Sequence, residues 1–295
     1  MPKPTLFGAC SHLARLLGRP RLTRLLELLY RAALRAPTRR RMLCDRLRRI
    51  LEFNGRSADH AALDLLLRET AARLADGLAE LVFEPGPQEA KARADLGLLP
   101  ELERLRRAGR GVILAGPHMS DQPLCVWALA AAGVPLNWVL LNAEPYVWTQ
   151  RENLKIWSLG SAAAPCLAAL ARNEAVLLYS DLDFFPGGRT ADFFGAPVRP
   201  PHGPARLALA SGAPILPVYL VFREGRYRLE CDRPLAVTAD ATQESLEEGL
   251  LRAMERIISR YPAQWLLMRD NWDIAGTDLA LHRQLAAARL ARGSV

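Results

Sequence analysis

The amino-acid sequence predicts an α/β protein, with a mostly parallel central sheet flanked by helices and an N-terminal helical segment. Two observations support this prediction. Residues 21–83 show helical periodicity until Pro85-Gly86-Pro87 breaks it. In residues 99–260, short apolar runs of strand length alternate with helical segments, which is typical of a parallel sheet. We therefore place a helical segment at residues 1–87 and an α/β domain at residues 88–295.

The N-terminal segment is strongly basic. Residues 1–56 hold 14 Lys/Arg and 3 Asp/Glu, so the net charge of +8 over the 295 residues originates here. Its first helix, residues 21–36, places leucines on one face and arginines on another. Such a helix suits either an anionic membrane surface or ordinary packing on the protein body. Nucleic acid is not expected as a partner, because base-stacking aromatic residues are not interleaved with the basic ones.

Two further helices complete this segment. Pro37 ends the first helix, and the second helix spans residues 39–53, where Asn54-Gly55 is a good C-terminal stop. The third spans residues 57–83, with Ser57 as its predicted N-cap.

The α/β domain is organised around one strand-to-helix corner. An apolar run at residues 111–115 has strand length, and the glycine and proline that follow it turn the backbone just before His118. Ser120 or Asp121 can cap the next helix. His118 therefore lies at the carboxyl end of a strand, where α/β sheets usually meet their ligands.

The remaining segments follow the same alternation. Residues 122–143 are uncharged over a membrane-spanning length, but internal proline and glycine divide them into a helix, a turn and a strand, so we interpret them as core. The sequence further predicts helices at residues 99–108, 160–172 and 204–211 and from residue 241 or 243 to 260, strands at 137–142, 175–180 and 214–222, and an edge strand at 226–231.

Candidate catalytic side chains gather where predicted strands end. His118 follows one strand, Asp181 and Asp183 follow another, and Asp121 lies three residues after the histidine. A histidine beside a carboxylate can act as general base on an alcohol, because the imidazole pKa is near neutrality and the carboxylate fixes its tautomer. The pair can also serve a nucleophilic serine, but no G-x-S-x-G elbow is present. No metal is expected, since metal-ligand spacings such as H-E-x-x-H are missing.

A loop rich in glycine and proline follows the two aspartates. Gly187 and Gly188 let backbone amides approach an anion, and Arg189 can hold a phosphate or carboxylate through two hydrogen bonds. A plain surface loop is the alternative interpretation. The predicted substrate-binding residues are Ser120, Arg189, Arg199 and Arg206.

Several segments, taken in order, resemble a known family. They are a strand followed by His118, the run SDLDFFPGGRTADFFG from Ser180, the run PPHGPARLALASGAPILPVYL from Pro200, and YPAQWLLMRDNW from Tyr261. This succession, over about residues 48–272, resembles the bacterial lipid A biosynthesis (lauroyl/myristoyl) acyltransferases. They belong to the lysophospholipid acyltransferase superfamily, which also includes phosphatidylinositol mannoside acyltransferases.

The resemblance implies a fold and an activity. The fold would be that of the glycerol-3-phosphate and lysophospholipid acyltransferases. The activity would be transfer of a fatty acyl group from acyl carrier protein (ACP) or coenzyme A (CoA) to a hydroxyl of a membrane lipid. The thioester would be a co-substrate, and no further cofactor is expected.

His118 is similar to the histidine of the family's His-x4-Asp/Glu motif, the base that deprotonates the acceptor hydroxyl. The sequence departs from the family where the carboxylate of the motif belongs, because that position is Pro123. Asp121 can take the orienting role, or Asp181 or Asp183 can supply it from the neighbouring strand end. If none does, the chain has lost catalysis and is a non-catalytic lipid- or acyl-binding protein that keeps the acyltransferase scaffold.

Two further departures concern the acceptor and the membrane. The run FPGGRT resembles the superfamily's Phe-Pro-Glu-Gly-Thr-Arg motif, which contacts the acceptor phosphate, but Gly187 replaces the glutamate and only Arg189 carries over. The family's usual N-terminal membrane-spanning helix is missing, and the helix at residues 21–36 looks like a peripheral replacement. Five cysteines without C-x-x-C pairing favour a reduced, cytoplasmic setting.

We therefore expect a peripheral protein at the cytoplasmic face of the inner membrane. The expected partners are a membrane lipid acceptor, an ACP or CoA thioester and an anionic membrane surface.

Overall fold

The computed structural model describes residues 14, 16–83, 86–120, 122–143, 150–181 and 189–266. It has the α/β fold that the sequence predicts. The strands are β1 Ala94–Asp95, β2 Val112–Gly116, β3 Leu136–Leu140, β4 Leu154–Ser158, β5 Ala175–Tyr179, β6 Ala191–Phe193, β7 Ala196–Val198, β8 Ile215–Arg223 and β9 Arg226–Cys231.

Seven strands form the central sheet, in the order β1-β9-β8-β2-β5-β3-β4, and β6 and β7 form a separate hairpin. Each neighbouring pair in the central sheet is parallel except β8 with β9. The α-helices of the described residues are α1 Arg19–Ala33, α2 Pro37–Phe53, α3 His60–Phe83, α4 Pro87–Arg93, α5 Leu99–Arg106, α6 Gln122–Ala131, α7 Ala163–Ala171, α8 Gly203–Ser211 and α9 Gln243–Arg260.

The central sheet is buried on both faces. In β2, Ile113 and Ala115 join an apolar cluster with α7, α8 and α9 on one face. Val112 and Leu114 join a second cluster with α4, α5 and α6 on the other face. Because both sides of the strand are covered, it is continuously apolar instead of alternating with polar residues.

The N-terminal helices pack onto the end of the described chain. The guanidinium of Arg46 in α2 donates to the backbone oxygen of Trp265 at 3.0 Å. The hydroxyl of Thr70 in α3 donates to the backbone oxygen of Ala263 at 2.9 Å. Helices α2 and α3 therefore contact the segment that follows α9.

The uncharged window at residues 122–143 is core, as the sequence predicts. It forms α6, a turn and β3, and α6 and β3 both contribute residues to the second apolar cluster. In the part of the chain that the structure describes, no helix combines the length and the apolar character needed to cross a membrane.

Two local predictions are wrong. Strand β9 is not an edge strand, because β1 pairs along its outer side through Ala94 and Tyr227. Ser57 does not cap α3, since the carboxylate of Asp59 accepts the amide hydrogen of Ala62 at 2.9 Å. The sequence also gave no sign of α4, β1, β4 and the β6–β7 hairpin, which are short and lack long apolar runs.

Candidate active site

The candidate active site is built by the pairing of β2 with β5. The two strands are parallel, and their last residues, Gly116 and Tyr179, face each other in register. His118 and Asp181 each lie two residues beyond that pair, so both are located at the same edge of the sheet. A side chain at position 116 has no room, because a Cβ there would lie 1.9 Å from the backbone oxygen of Val218 in β8.

His118 and Asp181 are joined by two hydrogen bonds. The ring Nδ1 of His118 lies 2.5 Å from Oδ1 of Asp181, and the backbone N–H of His118 donates to Oδ2 at 2.7 Å. A carboxylate at Nδ1 favours the tautomer with the proton on that nitrogen. The other ring nitrogen, Nε2, then keeps its lone pair and can accept a proton.

The two partners differ in burial. The Asp181 side chain is fully buried, whereas the His118 side chain is 25% exposed. Burial alone raises the pKa of Asp181, but the charge of His118 and the hydrogen bonds from His118 and Trp265 outweigh it and hold this pKa below its ordinary value. The carboxylate is therefore ionised at neutral pH, while the ring that it orients is within reach of a substrate.

Trp265 supports the carboxylate from a distant part of the chain. Its indole N–H donates to Oδ2 of Asp181 at 2.7 Å. The tryptophan is fully buried, and the guanidinium carbon of Arg46 lies 4.9 Å from the centre of its ring. Trp265 lies in the late segment that resembles the acyltransferases, but nothing in the sequence alone points to this contact with Asp181.

Ser120 anchors the turn that follows His118. It has a positive φ of 41° although it is not glycine. Its buried hydroxyl donates to Oε1 of Gln264 at 2.6 Å, and its amide donates to the backbone oxygen of the same residue at 2.8 Å. The described contacts of Ser120 are thus structural, and its substrate-binding role stays a prediction.

The other candidate carboxylates, Asp121 and Asp183, lie outside the described residues, as do Gly187 and Gly188. Among the described candidates, Asp181 is the carboxylate that contacts His118. In the same part of the chain, no group of three or more His, Cys, Asp or Glu side chains is arranged to hold a metal ion.

The predicted substrate-binding arginines lie on or near α8 and α9. Arg189 forms ion pairs with three glutamates of α9: Glu244 at 2.9 Å, Glu247 at 3.5 Å and Glu248 at 3.3 Å. Arg206 is exposed on α8, and Arg199 is half-buried just after β7. No contact in the structure tests their substrate-binding role, which stays a prediction.

The fold and the site together define an α/β protein that holds a partly exposed histidine against a buried carboxylate at the carboxyl edge of its sheet. A family model described as "Bacterial lipid A biosynthesis acyltransferase" matches residues 66–273 of this chain. The match covers well over half of the chain and includes both His118 and Asp181. The chain belongs to the bacterial lipid A biosynthesis acyltransferase family.

The chain also matches individual proteins, at 27–28% sequence identity. A phosphatidylinositol mannoside acyltransferase of Mycolicibacterium smegmatis is 28% identical over 177 residues, which cover 56% of this chain and 58% of that protein. A phosphatidylinositol mannoside acyltransferase of Mycobacterium tuberculosis is 27% identical over 189 residues, which cover 60% of this chain and 59% of that protein. The chain thus matches somewhat more than half the length of these relatives.

Proposed function

We propose that this chain is an acyltransferase that moves a fatty acyl group from a thioester donor to a hydroxyl of a lipid acceptor, with His118 as general base. The observation that carries the proposal is the contact between His118 and the buried Asp181. Pro123, the second residue of α6, occupies the position where family members keep a carboxylate after the histidine. Asp181 supplies a carboxylate from the neighbouring strand instead, which favours an active enzyme over a non-catalytic scaffold.

In the proposed reaction the acyl group passes directly from the thioester to the acceptor hydroxyl. Nε2 of His118 takes the proton of the acceptor hydroxyl, and the hydroxyl oxygen attacks the carbonyl carbon of the thioester. A new C–O bond forms, the C–S bond breaks, and the thiolate leaves and is protonated. Asp181 holds the tautomer and stabilises the imidazolium that forms.

The substrates follow from the family and the relatives. The relatives are named for a lipid that carries a mannoside, which supports a lipid or glycolipid hydroxyl as acceptor. We propose an acyl-ACP or acyl-CoA as donor, with no further cofactor, and a peripheral location at the cytoplasmic face of the inner membrane. The strongly basic residues 1–56 support attraction to an anionic membrane surface.

An acyl-transfer assay with membrane lipids and a radiolabelled thioester tests this function. His118→Ala should lower the rate roughly 10²–10⁴-fold, because it removes the general base. Asp181→Asn should lower the rate roughly 10³–10⁴-fold, because an amide cannot stabilise the imidazolium and favours the wrong tautomer. His60→Ala and Asp95→Asn, at exposed positions on α3 and β1, are the matched controls.

The outcomes separate three functions. Loss of transfer in both site variants, with normal transfer in both controls, supports the proposal. Thioester turnover by the wild type in the absence of any acceptor would point to a hydrolase. Binding of lipid or acyl chains without turnover would identify the non-catalytic scaffold, and normal transfer by His118→Ala would remove this histidine from the mechanism.

A further inference from the structure

The N-terminal helices line an open, positively charged cavity that includes neither His118 nor Asp181. The cavity has a volume of about 240 Å³ and lies among α1, α2 and α3. Leu34 and Leu67, both buried, supply its apolar lining. Its charged lining consists of Arg31, Arg35, Arg40, Asp64 and Arg68, and we call it the arginine pocket.

Two of the four arginines already have partners. Arg40 lies 2.5 Å from the carboxylate of Asp64, and Arg31 lies 2.5 Å from that of Glu27. Arg35 and Arg68 are exposed and form no ion pair with any other residue that the structure describes. Among its described lining residues the pocket therefore has four arginines and one carboxylate, and that carboxylate, Asp64, is bonded to Arg40 and also interacts with Arg68. Arg35 and Arg68 can each bind a phosphate through two parallel hydrogen bonds.

Exposed leucines lie beside the arginine pocket on α1. Leu28 and Leu29 are 58% and 57% exposed, and Leu25 is also exposed. Residues three apart are neighbours on a helix, so Leu28 lies next to Arg31. Arg35 follows two residues after the end of α1 and lines the same pocket as Arg31. Apolar side chains beside an anion-binding site match the boundary between lipid headgroups and acyl chains, whereas a soluble phosphate compound leaves the leucines in water.

We propose that the arginine pocket binds the phosphate group of an anionic phospholipid, while the exposed leucines of α1 enter the acyl region beside it. The pocket is thus a second lipid site, separate from the acceptor site at His118. This interpretation of the arginine pocket rests on the proposed function, because lipid binding there would hold the protein at the membrane, where a lipid acceptor is found. Its binding can be measured without any acyl transfer.

Vesicle flotation tests the site. The full chain is mixed with vesicles of phosphatidylcholine alone or with one quarter phosphatidic acid. Arg35→Gln/Arg68→Gln should weaken binding to the anionic vesicles roughly 100-fold, since the charge-assisted hydrogen bonds of each guanidinium to phosphate contribute about tenfold. Arg107→Gln/Arg233→Gln removes the same charge from exposed positions outside the pocket, and should change binding by less than about twofold. Circular dichroism spectra of both double variants should match that of the wild type, which checks that they are folded.

Equal flotation of the pocket variant and the control variant would overturn the proposal. A second lipid mixture, with oleate replacing phosphatidic acid at equal surface charge, tests the need for phosphate. The pocket variant should then bind no more than roughly 25-fold more weakly than the wild type, since general attraction contributes about fivefold per arginine. An equally large loss on both kinds of vesicle would show general attraction without a phosphate site.

Two further measurements distinguish a phospholipid from other ligands of the arginine pocket. Thermal unfolding with inorganic phosphate at constant ionic strength tests a soluble source. Stabilisation by phosphate without flotation would assign the pocket to a soluble phosphate compound and overturn the lipid site. Loss of acyl carrier protein binding in the pocket variant, with flotation intact, would assign the pocket to that acidic protein instead and also overturn it.

The catalytic variant separates this proposal from the proposed function. His118→Ala should lose acyl transfer and float normally with anionic vesicles. If His118→Ala retained transfer while the pocket variant lost flotation, the proposed general base would be wrong and the arginine pocket would stand.

Discussion

The fully buried Asp181 side chain accepts hydrogen bonds from the ring and backbone nitrogens of His118 and from the indole of Trp265. A buried carboxylate without such donors would tend to become protonated. The sequence places Asp181 and Asp183 equally well after a strand, and it cannot choose between them, because the choice depends on the register of β5 against β2. Trp265 could not be found from the sequence, since its contact with Asp181 spans 84 residues and arises from tertiary packing.

Because the pKa of Asp181 is lowered in the folded state, the free energy of unfolding depends on pH in the acid range. The carboxylate stabilises the fold fully above the ordinary aspartate pKa of about 3.9, and this contribution is lost as the pH falls through the lower pKa of the folded state. We therefore expect the free energy of unfolding of the wild type to fall more steeply below about pH 4 than that of Asp181→Asn. Urea unfolding at a series of pH values measures both, and parallel pH curves would contradict the expectation.

At the scale of elements, strand pairing decides which residues meet. Long apolar runs such as β2, β5 and β8 were predictable, because a strand that is covered on both faces has a continuous hydrophobic signal. Strand β1 has two residues, and β4 contains a lysine, so neither carries that signal. The corner before His118 was predictable from its glycine and proline, but its close contact with β8 was not.

Gly116→Ala tests that close contact. The added Cβ would lie 1.9 Å from the backbone oxygen of Val218, so β2 and β8 must separate at the edge that carries His118. We expect a loss of about 1–3 kcal/mol in the free energy of unfolding, measured by urea denaturation, together with reduced transfer. Gly77→Ala in α3 is the control, since nothing lies within 4 Å of its added Cβ and alanine favours a helix by about 1 kcal/mol. Equal stabilities of the two variants would contradict the contact.

At the scale of the whole molecule, the N-terminal helices contact residues 263–265, the segment from which Trp265 supports the candidate active site. The sequence predicts a boundary near residue 87 from its proline and glycine. The contacts from Arg46 and Thr70 to residues 263–265 cross that boundary. Such contacts are invisible in the sequence, because neither an arginine nor a threonine within a helix identifies a partner about 200 residues away.

Truncation measures how far the helices and the α/β part depend on each other. A chain that begins at residue 88 leaves the backbone oxygens of Ala263 and Trp265 without these donors, at a cost of about 1–3 kcal/mol each. We expect this chain to lose cooperative thermal unfolding. A chain that begins at Pro37 lacks residues 1–36, in which α1 contains no buried residue and Leu34, just after it, is buried; it should still unfold cooperatively. Cooperative unfolding of the shorter chain at the wild-type temperature would show an independent domain.

The late position of Trp265 has a consequence for synthesis on the ribosome. Translation proceeds from the N-terminus, so His118 and Asp181 emerge long before the tryptophan that donates to the same carboxylate. Gln264, which anchors Ser120, emerges equally late. The full set of contacts around His118 and Asp181 can therefore form only after residue 265 has been synthesised.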